Sequence, residues 1–166
     1  MSLAAERVAL LRPPVPGDLG WILHRQAVLY HQEYGWDWGF EGLVAEIVGK
    51  FVAEFDPARE SVWVAEHAGA IVGSVFLVKG DQPDIGKLRL LYVEPSARGL
   101  GIGAQLVDAC IDRARKIGYR RLVLWTNDIL LAARRIYVSR GFVLEAEERH
   151  HSFGRDLVGQ FWGLEL

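Results

Sequence analysis

The residues whose spacing best predicts chemistry form an Arg-Gly-Leu-Gly-Ile-Gly turn at residues 98–103. The turn joins an apolar segment to an amphipathic one, so it lies between a predicted strand and a predicted helix. Glycines let the backbone approach a ligand closely, and the free N–H groups at the start of a helix attract negative charge. We therefore expect a site for an anion such as a pyrophosphate, although an ordinary strand-to-helix turn can have the same composition.

Strands and helices in a defined order surround this turn. Strands are predicted at residues 6–12, 61–66, 70–79, 87–93, 120–126, 142–150 and 158–166, and helices at 18–34, 41–55, 103–117 and 130–140. Asp18 is predicted to cap the first helix, and loops are predicted at residues 34–40 and 151–157. The order β-α-α-β-β-β-α-β-α-β-β predicts an α/β fold with a mixed sheet and helices on both faces.

The composition indicates one compact domain over residues 1–166, with residues 1–5 expected to be disordered or left by a cloning vector. A hydrophobic content of 51% excludes a disordered chain, and a net charge of −2 gives no reason to expect nucleic acid or a membrane as a partner. Cys110 cannot form an internal disulfide and lies in an apolar stripe, which fits core packing in a reducing, cytoplasmic protein. No residues stand at metal-ligand spacing, so no metal is expected.

The element order and the glycine turn together resemble the GNAT superfamily of acetyl-CoA-dependent N-acetyltransferases. The family's signature of Arg or Gln, two residues, Gly, one residue, and Gly or Ala is matched by residues 98–103, which follow Val93-Glu94-Pro95. A second match is AARRIYVSRGF at residues 132–142, where a helix ends in Tyr, three residues and Gly-Phe. The resemblance covers about residues 6–166 and implies a central mixed, mostly antiparallel sheet.

Three further stretches, HRQAVLYHQEYGW, LWTND and HHSFG, resemble the acetyltransferase half of regulators that join a MarR-type DNA-binding domain to a GNAT domain. A fused or associated MarR-type domain is therefore expected. The chain is interpreted either as a stand-alone relative or as one half of such a regulator, and the initial Met-Ser-Leu favours the second interpretation.

The resemblance implies acetyl-CoA as cofactor, held by the strand before the turn and by the turn itself. The implied cofactor-binding residues are Leu91, Tyr92, Val93, Arg98, Gly99, Leu100, Gly101, Ile102, Gly103, Ala104 and Asn127. The strand backbone would bind the pantetheine arm like a partial strand, and residues 99–104 would bind the pyrophosphate. Many members carry a cofactor-contacting Asn where this chain has Leu130, so Asn127 either takes over that contact or only caps the next helix.

The resemblance also implies a catalytic acid. Tyr137, a phenol that stays protonated at neutral pH, would give its proton to the departing thiolate, and the Val93 N–H would polarise the thioester carbonyl. The general base stays open, because Trp125 stands where some members have a Glu. The candidates are Glu33, His150, His151 and a water chain.

The acceptor pocket is expected between the aromatic loop and the last predicted loop. Its predicted residues are Tyr30, Glu33, Tyr34, Trp36, Arg89, His151, Ser152 and Phe153. Arg89 would either hold a substrate carboxylate by a two-point contact or form a salt bridge on the sheet face. If Arg89 and Glu33 both line the pocket, an amino-acid-like acceptor is favoured.

The sequence therefore predicts direct transfer of an acetyl group to a primary amine of a small molecule. The alternative is a non-catalytic module that binds acetyl-CoA or an amine and reports to a transcription regulator. The last strand also offers an edge through which a homodimer could form.

Overall fold

The fold is a seven-stranded sheet with four α-helices, seen in a computed structural model that describes residues 9–166. The strands are β1 (Leu10–Arg12), β2 (Ser61–His67), β3 (Ala70–Lys79), β4 (Ile85–Val93), β5 (Arg121–Asn127), β6 (Val143–Ser152) and β7 (Arg155–Glu165). The helices are α1 (Asp18–Tyr34), α2 (Trp38–Ala53), α3 (Ile102–Ile117) and α4 (Leu131–Ser139), and a short 3-10 helix spans Pro95–Ala97. The predicted start at residues 1–5 and the first residues of the predicted strand 6–12 lie outside the described residues.

The strand order is β1-β2-β3-β4-β5-β7-β6, and every neighbouring pair is antiparallel except β4 with β5. The predicted element order and the mixed, mostly antiparallel sheet are therefore confirmed. The prediction that the last strand forms a free edge is wrong, because β7 lies between β5 and β6. Within residues 9–166, β6 is the strand at that edge.

The helices cover both faces of the sheet, as predicted. Helix α2 packs Val44 and Val48 in the same cluster as Phe76 of β3. On the opposite face, Leu106 and Cys110 of α3 pack against the sheet. Cys110 is completely buried, and burial raises the pKa of its thiol, which fits the predicted packing role. Within the described part of the chain, no helix is both long and apolar enough to cross a membrane.

The sheet opens between its two parallel strands. Strands β4 and β5 pair only where residues 85–87 face residues 121–123, so the rest of β4 has no backbone partner on that side among residues 9–166. Strand β4 also carries a bulge, because its register with β3 shifts between the pairs Phe76–Arg89 and Ser74–Tyr92. Leu90 in this bulge adopts a φ of 53°, a left-handed conformation that is rare for a branched side chain.

Two predicted local features near α1 and α2 are wrong. Helix α1 begins at Asp18 with Gly17 as its N-cap, and the Asp18 side chain instead accepts a hydrogen bond from Val15 N at 2.8 Å and pairs with Arg12. The aromatic loop is only three residues long, because Asp37 caps α2 by accepting from Gly39 N at 2.9 Å. An N-cap this early starts the helix at Trp38 rather than at residue 41.

The loop predicted at residues 151–157 is also wrong. Strands β6 and β7 continue through this stretch and are joined only by Phe153 and Gly154, with Ser152 opposite Arg155. Both turn residues have positive φ, 58° and 76°, as a two-residue hairpin turn of type I′ requires.

Candidate active site

A cavity of about 330 Å³ passes through the opening between β4 and β5. Its lining residues are Leu29, Tyr30, Glu33, Tyr34, Leu91, Tyr92, Val93, Ala97, Arg98, Gly99, Gly101, Ile102, Gly103, Ala104, Leu130, Ala132, Ala133 and Ile136. Helix α1 packs on one face of the sheet, whereas α3 and α4 pack on the other. Because residues from both faces line one cavity, two ligands could meet there from opposite sides of the sheet.

The glycine turn gives the cavity an anion-binding wall. Gly99 and Gly101 have φ values of 82° and 77°, and Gly101 is the N-cap of α3 without a side-chain capping bond. The first N–H groups of α3 therefore have no capping side chain and face the turn. At Gly103, a Cβ atom would lie 2.8 Å from Ile136 Cδ1, so a residue without a side chain lets α3 approach α4. This turn fits the diphosphate of a coenzyme.

The end of β4 directs a backbone donor into the same opening. Glu94 N–H donates to Val72 O of β3 at 2.7 Å. Successive N–H groups of an extended strand point to opposite sides, so the N–H of Val93 points away from β3 and towards the opening. This donor suits a carbonyl oxygen or an amide of an extended ligand.

Tyr137 lies one layer behind the cavity wall formed by α4. Its own turn of α4 contributes Ala133 and Ile136 to the lining, while its ring packs against Phe142 and Trp162 at centroid distances of 5.6 and 6.5 Å. Burial raises the pKa of Tyr137, and the nearby hydroxyl of Tyr30 raises it further. The phenol therefore stays protonated at neutral pH.

Glu33 and Arg98 face each other across the cavity. The guanidinium of Arg98 donates a hydrogen bond to Glu33 Oε1. The candidate base is therefore bound to a cation of the glycine turn.

An aromatic cluster supports the wall on the α1 side. Trp36 packs against Tyr30, Tyr34, Phe40 and Phe153 with centroid distances of 5.0 to 5.6 Å. Tyr30 and Tyr34 line the cavity, whereas Trp36 is buried behind them. Asp37 N also donates to the Phe153 carbonyl at 3.0 Å, which joins the α1–α2 loop to the β6–β7 turn.

Arg89 is not brought into the cavity lining. It lies opposite Phe76, whose ring packs against Phe51 of α2, so Arg89 is on the α2 face of the sheet. Burial lowers the pKa of its guanidinium, and the charge of Glu46 opposes that shift. The salt bridge predicted as the alternative role of Arg89 is absent among residues 9–166, where no carboxylate oxygen lies within 4.0 Å of its guanidinium nitrogens. Its role as a carboxylate receptor inside the cavity is not supported by this geometry.

Other predicted residues also lie outside the lining. Asn127 Oδ1 is 2.9 Å from His150 Nε2, so its side chain is bound to β6. The N-cap of α4 is Leu130, so the prediction that Asn127 caps that helix is wrong. His151 is exposed and pairs with Asp156 at 2.8 Å. Leu100 and Trp36 likewise do not line the cavity.

Sequence reasoning missed part of the α4 wall. Ala132, Ala133 and Ile136 line the cavity beside Tyr137. Ala133 lies four residues before Tyr137, so the helical period around the tyrosine could have indicated Ala133. Ile136 is adjacent to Tyr137 in sequence and lies on a different side of the helix, so the period does not indicate it. Leu29 and Ala97 carried no comparable signal, because they reach the cavity through tertiary packing.

Residues 24–142 match the model of the acetyltransferase (GNAT) family. The chain belongs to the GNAT family of acetyltransferases. An uncharacterized N-acetyltransferase of Schizosaccharomyces pombe is 36% identical over 115 residues, which are 68% of this chain and 69% of that protein. A mycothiol acetyltransferase of Sanguibacter keddieii is 34% identical over 137 residues, 78% of this chain but only 41% of that protein. This chain therefore spans less than half the length of that GNAT relative.

Solved GNAT structures share the fold. A phosphinothricin acetyltransferase of Sinorhizobium meliloti, determined in complex with acetyl-CoA, superimposes with a TM-score of 0.75 over 96% of this chain and 89% of that one. At 20% identity this likeness shows the fold alone. The predicted family and the predicted enzyme class, a GNAT-type N-acetyltransferase, are confirmed. The resemblance to MarR-fusion regulators stays a prediction.

Proposed function

We propose that the protein transfers the acetyl group of acetyl-CoA directly to a primary amine of a small molecule. The observation that carries this proposal is the cavity through the sheet, with the glycine turn on one face and the α1 residues Tyr30 and Glu33 on the other. Such a cavity lets a coenzyme and an acceptor bind at the same time, and transfer then needs no covalent enzyme intermediate.

The residues present fit the coenzyme. The N–H groups of residues 99–104 would bind the diphosphate, and the free backbone edge of β4 at Leu91 and Val93 would bind the pantetheine arm. When bound, acetyl-CoA supplies a thioester whose acetyl group is transferred to the acceptor nitrogen. The Val93 N–H would stabilise negative charge on the acetyl oxygen as the nitrogen attacks.

Tyr137 would supply the proton that the departing sulfur needs. Burial keeps its hydroxyl protonated, and the turn of α4 that carries it forms part of the cavity wall. The acceptor ammonium must lose a proton before it attacks, and this proton would pass to water or to Glu33 once that carboxylate is free of Arg98.

The acceptor is proposed only as a primary amine. Arg89 gives no support for an amino-acid-like acceptor, because it lies on the α2 face and does not line the cavity. A cytoplasmic location, a homodimer and an associated MarR-type domain stay predictions.

The test is thiol release from acetyl-CoA with a panel of amino acids, polyamines, aminoglycosides and peptides. Tyr137→Phe should lower amine-dependent kcat by at least about tenfold, since a positioned general acid contributes about 10²–10⁴-fold, while leaving CoA binding unchanged. Tyr119→Phe is the matched control, because it removes another buried hydroxyl, one that donates to the Arg59 carbonyl at 2.8 Å and does not line the cavity. Acetyl-CoA binding without turnover on any amine would contradict the transferase proposal.

A further inference from the structure

Two charged residues predicted to serve different ligands are bound to each other. Arg98 begins the glycine turn that would bind the coenzyme diphosphate, and its guanidinium donates to Glu33 near the end of α1. Both residues line the cavity, and the other lining residues are apolar, aromatic or glycine. The two charged residues of the lining therefore form one ion pair.

The ion pair is easily broken from the Arg98 side. The Arg98 side chain is 51% exposed, and exposed pairs contribute little to stability because water and salt screen them. A diphosphate offers a guanidinium two parallel hydrogen bonds and more negative charge than one carboxylate. A diphosphate at the glycine turn would therefore outcompete Glu33 for Arg98.

Glu33 stands beside groups that suit a cation. Burial raises the pKa of both Tyr30 and Tyr34, and the charge of Glu33 raises it further, so both hydroxyls lie in the field of this carboxylate. An alkylammonium at this position would meet a carboxylate and two aromatic rings, a combination that binds cations well. In the structure that carboxylate already accepts a hydrogen bond from the Arg98 guanidinium.

We propose that the Arg98–Glu33 ion pair couples the two binding sites: coenzyme binding draws Arg98 to the diphosphate and frees Glu33 to bind the acceptor's ammonium group. This inference rests on the proposed function. It assigns to Glu33 a role in acceptor selection, in favour of amines without an adjacent anionic group. Because such coupling is reciprocal, removing the carboxylate must also change coenzyme affinity.

The experiment is calorimetric titration of CoA, which needs no turnover, into the wild type, Glu33→Gln, Arg98→Gln and the double variant. Glu33→Gln should bind CoA about two- to fivefold more tightly, the range expected when an exposed ion pair no longer has to be broken. Arg98→Gln should bind CoA more weakly, and adding Glu33→Gln to it should change nothing. Glu54→Gln is the matched control, since it removes an exposed carboxylate that directly follows α2 and does not line the cavity.

A kinetic test examines the acceptor side with any amine found in the thiol-release panel. Glu33→Gln should raise the KM for the amine while the KM for acetyl-CoA falls or stays constant. A residue that only supported the fold would not move the two constants in opposite directions.

The outcomes separate this inference from the proposed function. Unchanged or weaker CoA binding by Glu33→Gln overturns the coupling. An equal gain in CoA affinity from Glu54→Gln, or from Glu33→Gln in the Arg98→Gln background, also overturns it, because that gain would indicate a general charge effect. Wild-type protein that fails to bind CoA overturns the proposed function, and the coupling with it. Tighter CoA binding confined to the variant that retains Arg98 supports the inference.

Discussion

Replacing Gly101 by alanine separates the cost of a left-handed backbone from the other effects of adding a methyl group. Gly101 has a φ of 77°, and a Cβ built there meets no atom within 4 Å. No steric contact contributes, so the penalty comes from the conformation alone, about 1–2 kcal/mol for an L-residue. The lower chain entropy of the unfolded state returns about 0.4–1 kcal/mol, which leaves a net loss of about 1 kcal/mol.

Gly42→Ala is the control that isolates this effect. Gly42 lies inside α2, where a Cβ also meets nothing within 4 Å and the backbone is helical. The same methyl group should stabilise the protein there by about 0.5–1 kcal/mol, because glycine is the poorer helix former. The two variants should therefore differ by about 1.5–2 kcal/mol in free energy of unfolding, measured by urea denaturation at equal m-values.

Coenzyme binding gives the functional half of this prediction. If alanine relaxes out of the left-handed region, the N–H groups at the start of α3 turn away from the diphosphate position, and CoA affinity should fall by about tenfold or more. Gly42→Ala should bind CoA like the wild type. A Gly101→Ala protein as stable as Gly42→Ala and unimpaired in CoA binding would refute the reasoning.

Three further predictions follow from particular contacts. The hydrogen bond from Arg12 holds the pKa of Asp18 below its usual value. The contribution of Asp18 to the free energy of unfolding is therefore full above about pH 4 and is lost as the pH falls through the pKa of the folded state. Asp18→Asn should therefore cost about 1–3 kcal/mol in urea denaturation at pH 7, and this cost should shrink as the pH is lowered below about 4; a cost that stays constant would contradict this. Arg25 forms two hydrogen bonds with the buried Glu94, at 2.7 and 3.1 Å. Arg25→Met should therefore lower Tm. Arg25→Lys should lower Tm less, because an ammonium keeps the charge but cannot form both hydrogen bonds as a guanidinium does. Burial raises the pKa of Tyr137, so its protonated form persists above pH 10. The plot of kcat against pH should therefore show no fall in activity near the ordinary tyrosine pKa of about 10. A fall there that is absent from Tyr137→Phe would contradict the role of Tyr137 as the acid.

Elements with a strong pattern were predictable from sequence. Helix α3 begins one residue before its predicted start and ends at Ile117, because its apolar stripe and the glycines at both ends leave little choice. The β2–β3 hairpin was predicted from two strand-like runs around residues 67–69, and in the structure Ala68 and Gly69 have the two positive φ values of a tight turn.

Strand β6 shows why other boundaries could not be predicted. Most of its ten residues are exposed, so they show no alternation of apolar and polar side chains. The mostly polar stretch from His151 to Asp156, with Gly154 in it, therefore resembles a loop in sequence. They form strands because β6 hydrogen-bonds along β7, a long-range pairing that no local pattern records.

The part of the site that is formed by consecutive residues could be predicted from sequence, and the part formed by residues far apart in the chain could not. The glycine turn and the end of β4 are contiguous, and most of the residues predicted there line the cavity. Arg89 was assigned from its place on the central strand and Asn127 from its distance to Leu130, and neither lines the cavity. Tertiary contacts decide their positions: Arg89 stands opposite Phe76, and Asn127 is bound to His150.

A single extra residue in β4 determines which side chains the cavity receives. Leu88 packs in the α3 core, and strict alternation would return Leu90 and Tyr92 to that same face. The bulge at Leu90 reverses the order, so that Tyr92 packs under α1 while Leu91 and Val93 pack towards α3. The left-handed φ of Leu90 costs about 1–2 kcal/mol, and the pairs on either side of the bulge hold it in place. The bulge thus lies where the sheet opens, and it sets the faces of the sheet on which Leu91, Tyr92 and Val93 pack.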